Sequence, residues 1–301
     1  MKLIRQVPRL ALAVVVLGAC GGSDSSRDVA AGDAEQDATT RVAMAEGFDG
    51  PEAVRYDPDQ DVFFVSNFAG ENAGDANGFI SRVRPDGTID SLRFMVGTAA
   101  APLHGPRGLY LTGDTLWAAD ADGVHGFDRR SGAQVAFVDF RGFEPGFLND
   151  MVAGPEGALY VTDTGRSRVY RLLGREVTIA VEDPRLGQPN GIAWDAETGR
   201  FVVAPWEGTM LHAWRPGGAL EPVGSAGVNR CDGIEVLGGE ILVACQADST
   251  LHLIVDGRSR PLIRVAGRPA DIGIDTRRQR VAVPYVALNR VDIWSLTGGS
   301  R

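Results

Sequence analysis

Pro189-Asn190-Gly191-Ile192-Ala193-Trp194-Asp195 reads as a polar entry into a short apolar strand, and the chain returns to this pattern five more times. The other copies are Pro51-Glu52-Ala53-Val54-Arg55-Tyr56-Asp57, Pro106-Arg107-Gly108-Leu109, Leu148-Asn149-Asp150-Met151, Cys231-Asp232-Gly233-Ile234 and Pro269-Ala270-Asp271-Ile272-Gly273-Ile274-Asp275. Their second residues, 52, 107, 149, 190, 232 and 270, are spaced by 55, 42, 41, 42 and 38 residues. A polar turn and a second strand follow each copy, as in 62–66, 158–162 and 240–244, then a third strand and, in five repeats, a fourth. Four short antiparallel strands per repeat, six times over, predict an all-β fold, a six-bladed β-propeller spanning residues 41–301. Two unrelated β domains would not share one register across six segments. The sixth repeat ends too soon for a fourth strand, which would leave a hydrogen-bonding edge exposed. The strand-like segment 41–45 is expected to fill that place by pairing with 290–294, closing the ring.

The composition agrees with such a fold. The chain has 301 residues, 44% hydrophobic and 23% charged, with 39 Gly and 16 Pro. That is too apolar for a disordered chain and favours many short strands and turns over long helices. A formal charge of −9 argues against a nucleic-acid partner. Lys2 is the only lysine, so a P-loop, a Schiff-base lysine and a lysine general base are excluded from a chain that loses its first residues.

Residues 1–19 carry Lys2, Arg5 and Arg9, then an apolar run from Leu10 to Leu17, and small residues before Cys20. This is a signal-peptide pattern, too short for a permanent membrane span. Leu17-Gly18-Ala19-Cys20 resembles the bacterial lipobox, which implies lipidation at Cys20 and a place on the periplasmic or cell-surface face of a bacterial membrane. The alternative is an ordinary secretory signal with an incidental cysteine. Residues 20–40, rich in Ser, Asp, Ala and Gly, read as a flexible tether. Beyond the membrane the surroundings are oxidising. Cys231 and Cys245 end the two arms of a hairpin turning at Gly238-Gly239, which suits a disulfide, with two free buried thiols as the alternative.

Inner strands of a propeller run along its central axis, so the repeat's second residues should form a ring at one mouth of the channel. That ring reads Glu52, Arg107, Asn149, Asn190, Asp232, Ala270. Four are oxygen donors, with no thiol or imidazole among them, as a hard cation prefers. Ca²⁺ is expected first, with Mg²⁺, Mn²⁺ or Zn²⁺ as alternatives, zinc being least suited to oxygen alone. The competing reading is that Asn and Asp serve only the strand-entry turns.

The segments around Glu52, Asn149, Asn190 and Asp232 resemble the four metal-site motifs of the senescence marker protein, gluconolactonase and luciferin-regenerating enzyme superfamily, over about residues 45–296. The resemblance implies a six-bladed propeller in which these four residues hold a catalytic divalent cation and a lactone is hydrolysed. Asp232 becomes the general base, with Glu52 the other carboxylate able to take a proton. Sugar lactonases of the family carry an Arg two residues before the first metal-site Asn, where it contacts substrate; here that residue is Phe147. A less polar lactone or ester is therefore expected. Arg107 is a candidate to hold an anionic group, and His104, three residues before it, is the one histidine with a claim to acid–base work. Trp206 and Tyr285, just past second strands, are candidates to wall a pocket.

The primary expectation is a metal-dependent lactone or ester hydrolase acting on a small molecule as a lipid-anchored monomer. The alternative is a non-enzymatic platform for a peptide, glycan or protein, because Leu159–Tyr170 is similar to NHL-type repeats. No Gly-x-Ser-x-Gly, His-Glu-x-x-His or Gly-x-Gly-x-x-Gly occurs.

Overall fold

A computed structural model describes residues 39–70 and 75–296. The signal segment, Cys20 and nearly all of the tether lie outside the described residues, as do 71–74 and the last five positions.

Twenty-four strands, numbered β1 to β24 in chain order, form six four-stranded antiparallel sheets among the described residues. Each sheet is one blade of a β-propeller. The inner strands are β2 (Pro51–Asp57), β6 (Leu109–Thr112), β10 (Leu148–Ala153), β14 (Pro189–Asp195), β18 (Cys231–Leu237) and β22 (Gly273–Asp275). Next to them lie β3 (Val62–Asn67), β7 (Thr115–Ala119), β11 (Leu159–Asp163), β15 (Arg200–Pro205), β19 (Glu240–Cys245) and β23 (Arg280–Tyr285). In blades two and six the inner strand starts later than the repeat suggested. Arg107 and Ala270 therefore stand on its approach rather than within it.

The last blade has the order β1-β24-β23-β22, with β1 (Arg41–Glu46) outermost against β24 (Arg290–Ser295). Its register runs from Arg41 opposite Trp294 to Glu46 opposite Arg290, so the first strand covers the edge that the last blade would otherwise expose.

The aspartates that end the repeat motif in blades one, four and six are turn residues. Asp57 Oδ1 accepts from the backbone N–H groups of Asp59 and Gln60, Asp195 Oδ1 from Glu197 and Thr198, and Asp275 Oδ1 from Arg277 and Arg278. Each is an Asx turn that reverses the chain from inner to second strand. Apolar side chains then fill the wedges between neighbouring blades. Val54, Phe63 and Val65 of blade one, for example, meet Ala282, Val291 and Ile293 of blade six. Burial of such side chains is worth about 1.5–3 kcal/mol each, and it fixes the angle between blades that keeps the channel open.

Candidate functional site

The four blades that carry an oxygen donor share a backbone irregularity. The ladder between first and second strand slips between Pro51 and Val54, Leu148 and Met151, Pro189 and Ile192, and Cys231 and Ile234. The skipped residues are Glu52, Asn149, Asn190, Asp232 and their followers. A bulge frees a residue from the pleat and re-aims its side chain. The N–H groups it releases find other partners: Ala53 N–H donates to Ser66 Oγ (2.8 Å) and Asp150 N–H to Thr162 Oγ1 (2.9 Å). Small neighbours make this possible, since a Cβ on Gly191 would lie 2.1 Å from Asp232 O.

The result is a pocket of about 390 Å³ whose lining includes Glu52, Asn149, Asn190, Asp232 and Ala270. All four oxygen donors are buried. Glu52 Oε2, Asn190 Oδ1 and Asp232 Oδ1 have no hydrogen-bond partner, although a buried oxygen without one costs about 1–3 kcal/mol. The other polar atoms are held. Gln246 Nε2 donates to Asp232 Oδ2 (2.8 Å) and Asn149 Nδ2 donates to Thr164 Oγ1 (3.0 Å). Thr164 Oγ1 in turn donates to Pro189 O (2.8 Å), and Thr162 Oγ1 to Asn190 O (2.8 Å), tying blade three to the entry of blade four.

Burial raises the Asp232 carboxyl to about 7, with Gln246 and Asn190 opposing the shift. Burial, and then the nearby Asp232 charge, push Glu52 well above the usual carboxylate range, while Arg107 opposes. Two desolvated carboxyls and a neutral amide, all with oxygens left over, fit a divalent cation in charge and in donor chemistry.

Two further buried carboxyls, each directly after a ring residue, were missed by the ring reading. Asp150 accepts from Met151 N–H (2.6 Å) and Ile192 N–H (2.8 Å), and burial raises it to about 7. Asp271 is buried with Oδ2 unpartnered, and burial, then Asp150, hold its carboxyl well above the usual range. Arg55 answers part of this charge, donating to Glu235 Oε1 (2.9 Å) and to Leu109 O (2.9 Å).

A second ring was read only in part, through Trp206, which lines the pocket as expected. The residue directly after the second strand is Phe68, Asp120, Thr164, Trp206, Gln246 and Val286 in blades one to six, and all but Asp120 line the pocket. The signal was present in the sequence as a second register shared by every repeat. Tyr285, expected at the pocket, is buried in the blade-six core, and its follower Val286 takes that place.

Phe147 lines the pocket, whereas Arg107 and His104 do not. Arg107 lies behind the wall, its guanidinium 3.9 Å from the centroid of Phe147 and 4.9 Å from that of Phe68, with Nη1 donating to Leu148 O (3.1 Å). Stacking between two rings repays part of its desolvation and supports Phe147 from behind. His104 is directed elsewhere: its backbone N–H donates to Asp120 Oδ2 (2.7 Å) and its Nε2 is 4.0 Å from Asp122.

Asp120, Asp122 and His125 offer ligand atoms within 4.8 Å of one another and are a second place where a divalent cation fits among the described residues. Hydrogen bonding favours the ring. Gln134 Oε1 accepts from Thr98 N–H (3.0 Å), so its amide nitrogen faces His125 Nδ1 (2.8 Å). The imidazole proton is thereby placed on Nε2, directed at Asp120 and Asp122, both 3.5 Å away, where a cation would need a lone pair.

Cys231 and Cys245 are joined by a disulfide across the first rung of β18 and β19. It sits one residue before both Asp232 and Gln246, so the covalent link brackets the hydrogen bond that orients Asp232.

No family model matches the chain, nor does any curated protein sequence. Solved structures do. A gluconolactonase from Xanthomonas campestris superposes with a TM-score of 0.65 at 19% identity, over 85% of this chain and 91% of that one. A protein described as a putative gluconolactonase gives 0.64 at 16%, over 85% and 90%. A catalytically inactive histidine-to-alanine variant of virginiamycin B lyase from Staphylococcus aureus, crystallised with quinupristin, gives 0.58 at 13%, over 87% and 97%. At these identities the likeness is one of fold. The gluconolactonases among these neighbours are consistent with the resemblance carried by the four motifs.

Proposed function

We propose that this protein hydrolyses a lactone or related ester, with a divalent cation held by Glu52, Asn149, Asn190 and Asp232. The observation that carries the reading is the set of buried oxygens without partners on three of these four residues, turned into one pocket. When bound, the cation supplies positive charge that polarises the ester carbonyl and stabilises the oxyanion. Asp232 accepts a proton from the attacking water, and the same proton goes to the leaving ring oxygen as the acyl C–O bond breaks. Gln246 holds the plane of the Asp232 carboxylate while that transfer occurs. Export, lipidation at Cys20, a periplasmic or cell-surface location and a monomeric state belong to the same proposal, supported by the N-terminal sequence pattern.

The lyase neighbours support a different chemistry less well, because no histidine lines this pocket. That same observation favours the second reading, a binding platform with a structural cation, since among the described residues the pocket lining offers no acid–base group besides the carboxylates. A panel of lactones and aryl esters, assayed with Ca²⁺, Mg²⁺, Mn²⁺ and a chelator, decides between them. Hydrolysis that needs the cation is expected; tight cation binding with no turnover of any ester would favour the platform.

A further inference from the structure

We infer that the substrate is a lactone carrying an apolar alkyl or aryl arm, and that Phe68, Trp206 and Val286 form the seat of that arm. The inference rests on the proposed hydrolase reading and names the substrate class of its site.

Blades one, four and six contribute these three apolar side chains at the second ring, and Phe147 adds a fourth apolar surface. The polar side chains left in the lining, beyond the four cation donors, are Thr164, Gln188 and Gln246. Thr164 is occupied with Asn149 and Pro189 O, and Gln246 with Asp232. A sugar lactone would bring several hydroxyls into this pocket, and the groups left for them, Gln188, the Gln246 Oε1 acceptor and the Trp206 Nε1–H donor, are too few to partner them all. Each hydroxyl buried without a partner lowers affinity by roughly 5- to 150-fold. Arg107 does not remedy this, because its guanidinium is stacked between Phe68 and Phe147 outside the lining.

Size and continuity point the same way. A volume near 390 Å³ exceeds what a bare five- or six-membered lactone fills and lies within the ~300–1,000 Å³ usual for small-molecule sites. Val286 opens a single helical turn that ends at Leu288, and both side chains are exposed, Leu288 by 45%. An arm of several carbons therefore has exposed apolar surface to meet at Val286, with Leu288 on the same turn. Hydrolysis of such a substrate balances with water alone: the acyl C–O bond opens, water's oxygen joins the acyl carbon, and a hydroxy acid leaves.

The test uses lactams, which keep the ring and carbonyl but resist hydrolysis, so binding is read independently of turnover. δ-Valerolactams bearing ethyl, butyl, hexyl or phenyl groups, and a polyhydroxylated sugar lactam, are titrated calorimetrically against the protein with saturating Ca²⁺. Affinity is expected to rise roughly fourfold per methylene while the arm is being covered. The hexyl lactam should bind at least about 100-fold more tightly than the hydroxylated one. Trp206→Ala should remove most of the gain, and Val286→Ser, a change at a half-exposed position that spares the core, should reduce it. The inference is overturned if the hydroxylated lactam binds as tightly as the hexyl one, if the gain survives both substitutions, or if no lactam binds. Failure of the hydrolase reading shows separately, as alkyl lactams that bind while the matching lactones stay intact.

Discussion

Asp232→Asn is expected to lower turnover by about 10²–10⁴ even when the cation is saturating, the range usual for loss of a general base. The local hydrogen bonding explains why this isosteric change is severe. Gln246 Nε2 donates to Asp232 Oδ2, while Oδ1 is buried and unpartnered. An Asn placed here has one oxygen for two demands. If the oxygen faces Gln246, the amide NH₂ is turned on the cation; if it faces the cation, two NH₂ groups oppose each other. Cation affinity should therefore fall as well, by the loss of charge and by this conflict. Asn190→Ala removes a neutral donor only, so excess Ca²⁺ or Mn²⁺ should restore part of its rate. Activity of both variants on a responsive ester, measured against increasing cation, separates the two roles. Full recovery of Asp232→Asn would leave Asp232 a ligand and not a base.

Chelation is expected to lower the melting temperature by roughly 5–10 °C at pH 8, and by clearly less at pH 5. A cation at 100 times its dissociation constant stabilises the folded state by about 2.7 kcal/mol, which gives a shift of that order in a chain of this size. The pH dependence follows from the carboxyls. Asp232 titrates at about 7 in the folded state and Glu52 is also raised, whereas both lie near 4 in an unfolded chain. Between those values the folded protein holds protons that the unfolded chain has released. Without cation, the contribution of these two carboxyls to stability is thus full below about pH 4 and is lost as the pH rises through 7. A cation replaces those protons, so it stabilises most where they have gone. Asp150 and Asp271, raised in the same direction, leave some slope that the cation does not remove. Equal shifts at pH 5 and pH 8, read by calorimetry, would contradict this account of the site.

Much of this architecture was legible in the sequence because each repeat is one structural unit with a fixed period. Six polar strand entries gave the blade number, and the short sixth repeat required β1 to complete it. The ring at positions 52, 149, 190 and 232 was legible for the same reason. What one dimension did not carry was the direction of individual side chains. Arg107 shares the ring's register, but with no bulge in blade two it turns behind Phe147 and stacks there. Asp150 and Asp271 follow ring residues and were given no role from the sequence, yet both are buried carboxyls, Asp150 holding the Met151 and Ile192 N–H groups. His104 precedes the ring by three residues, and the Asp120 carboxylate draws its backbone aside. The second ring, from Phe68 to Val286, had a clear register signal, but its meaning depends on how far a second strand reaches toward the axis.

Convergence of the four ring residues on one cation is what the proposed chemistry requires. Crystals soaked in Mn²⁺, with diffraction measured at the manganese edge, test it most directly. One anomalous peak is expected on the propeller axis, bonded to side-chain oxygens of Glu52, Asn149, Asn190 and Asp232 and absent from Asp232→Asn crystals at the same concentration. A peak among Asp120, Asp122 and His125 with none on the axis, or no peak at all, would contradict it.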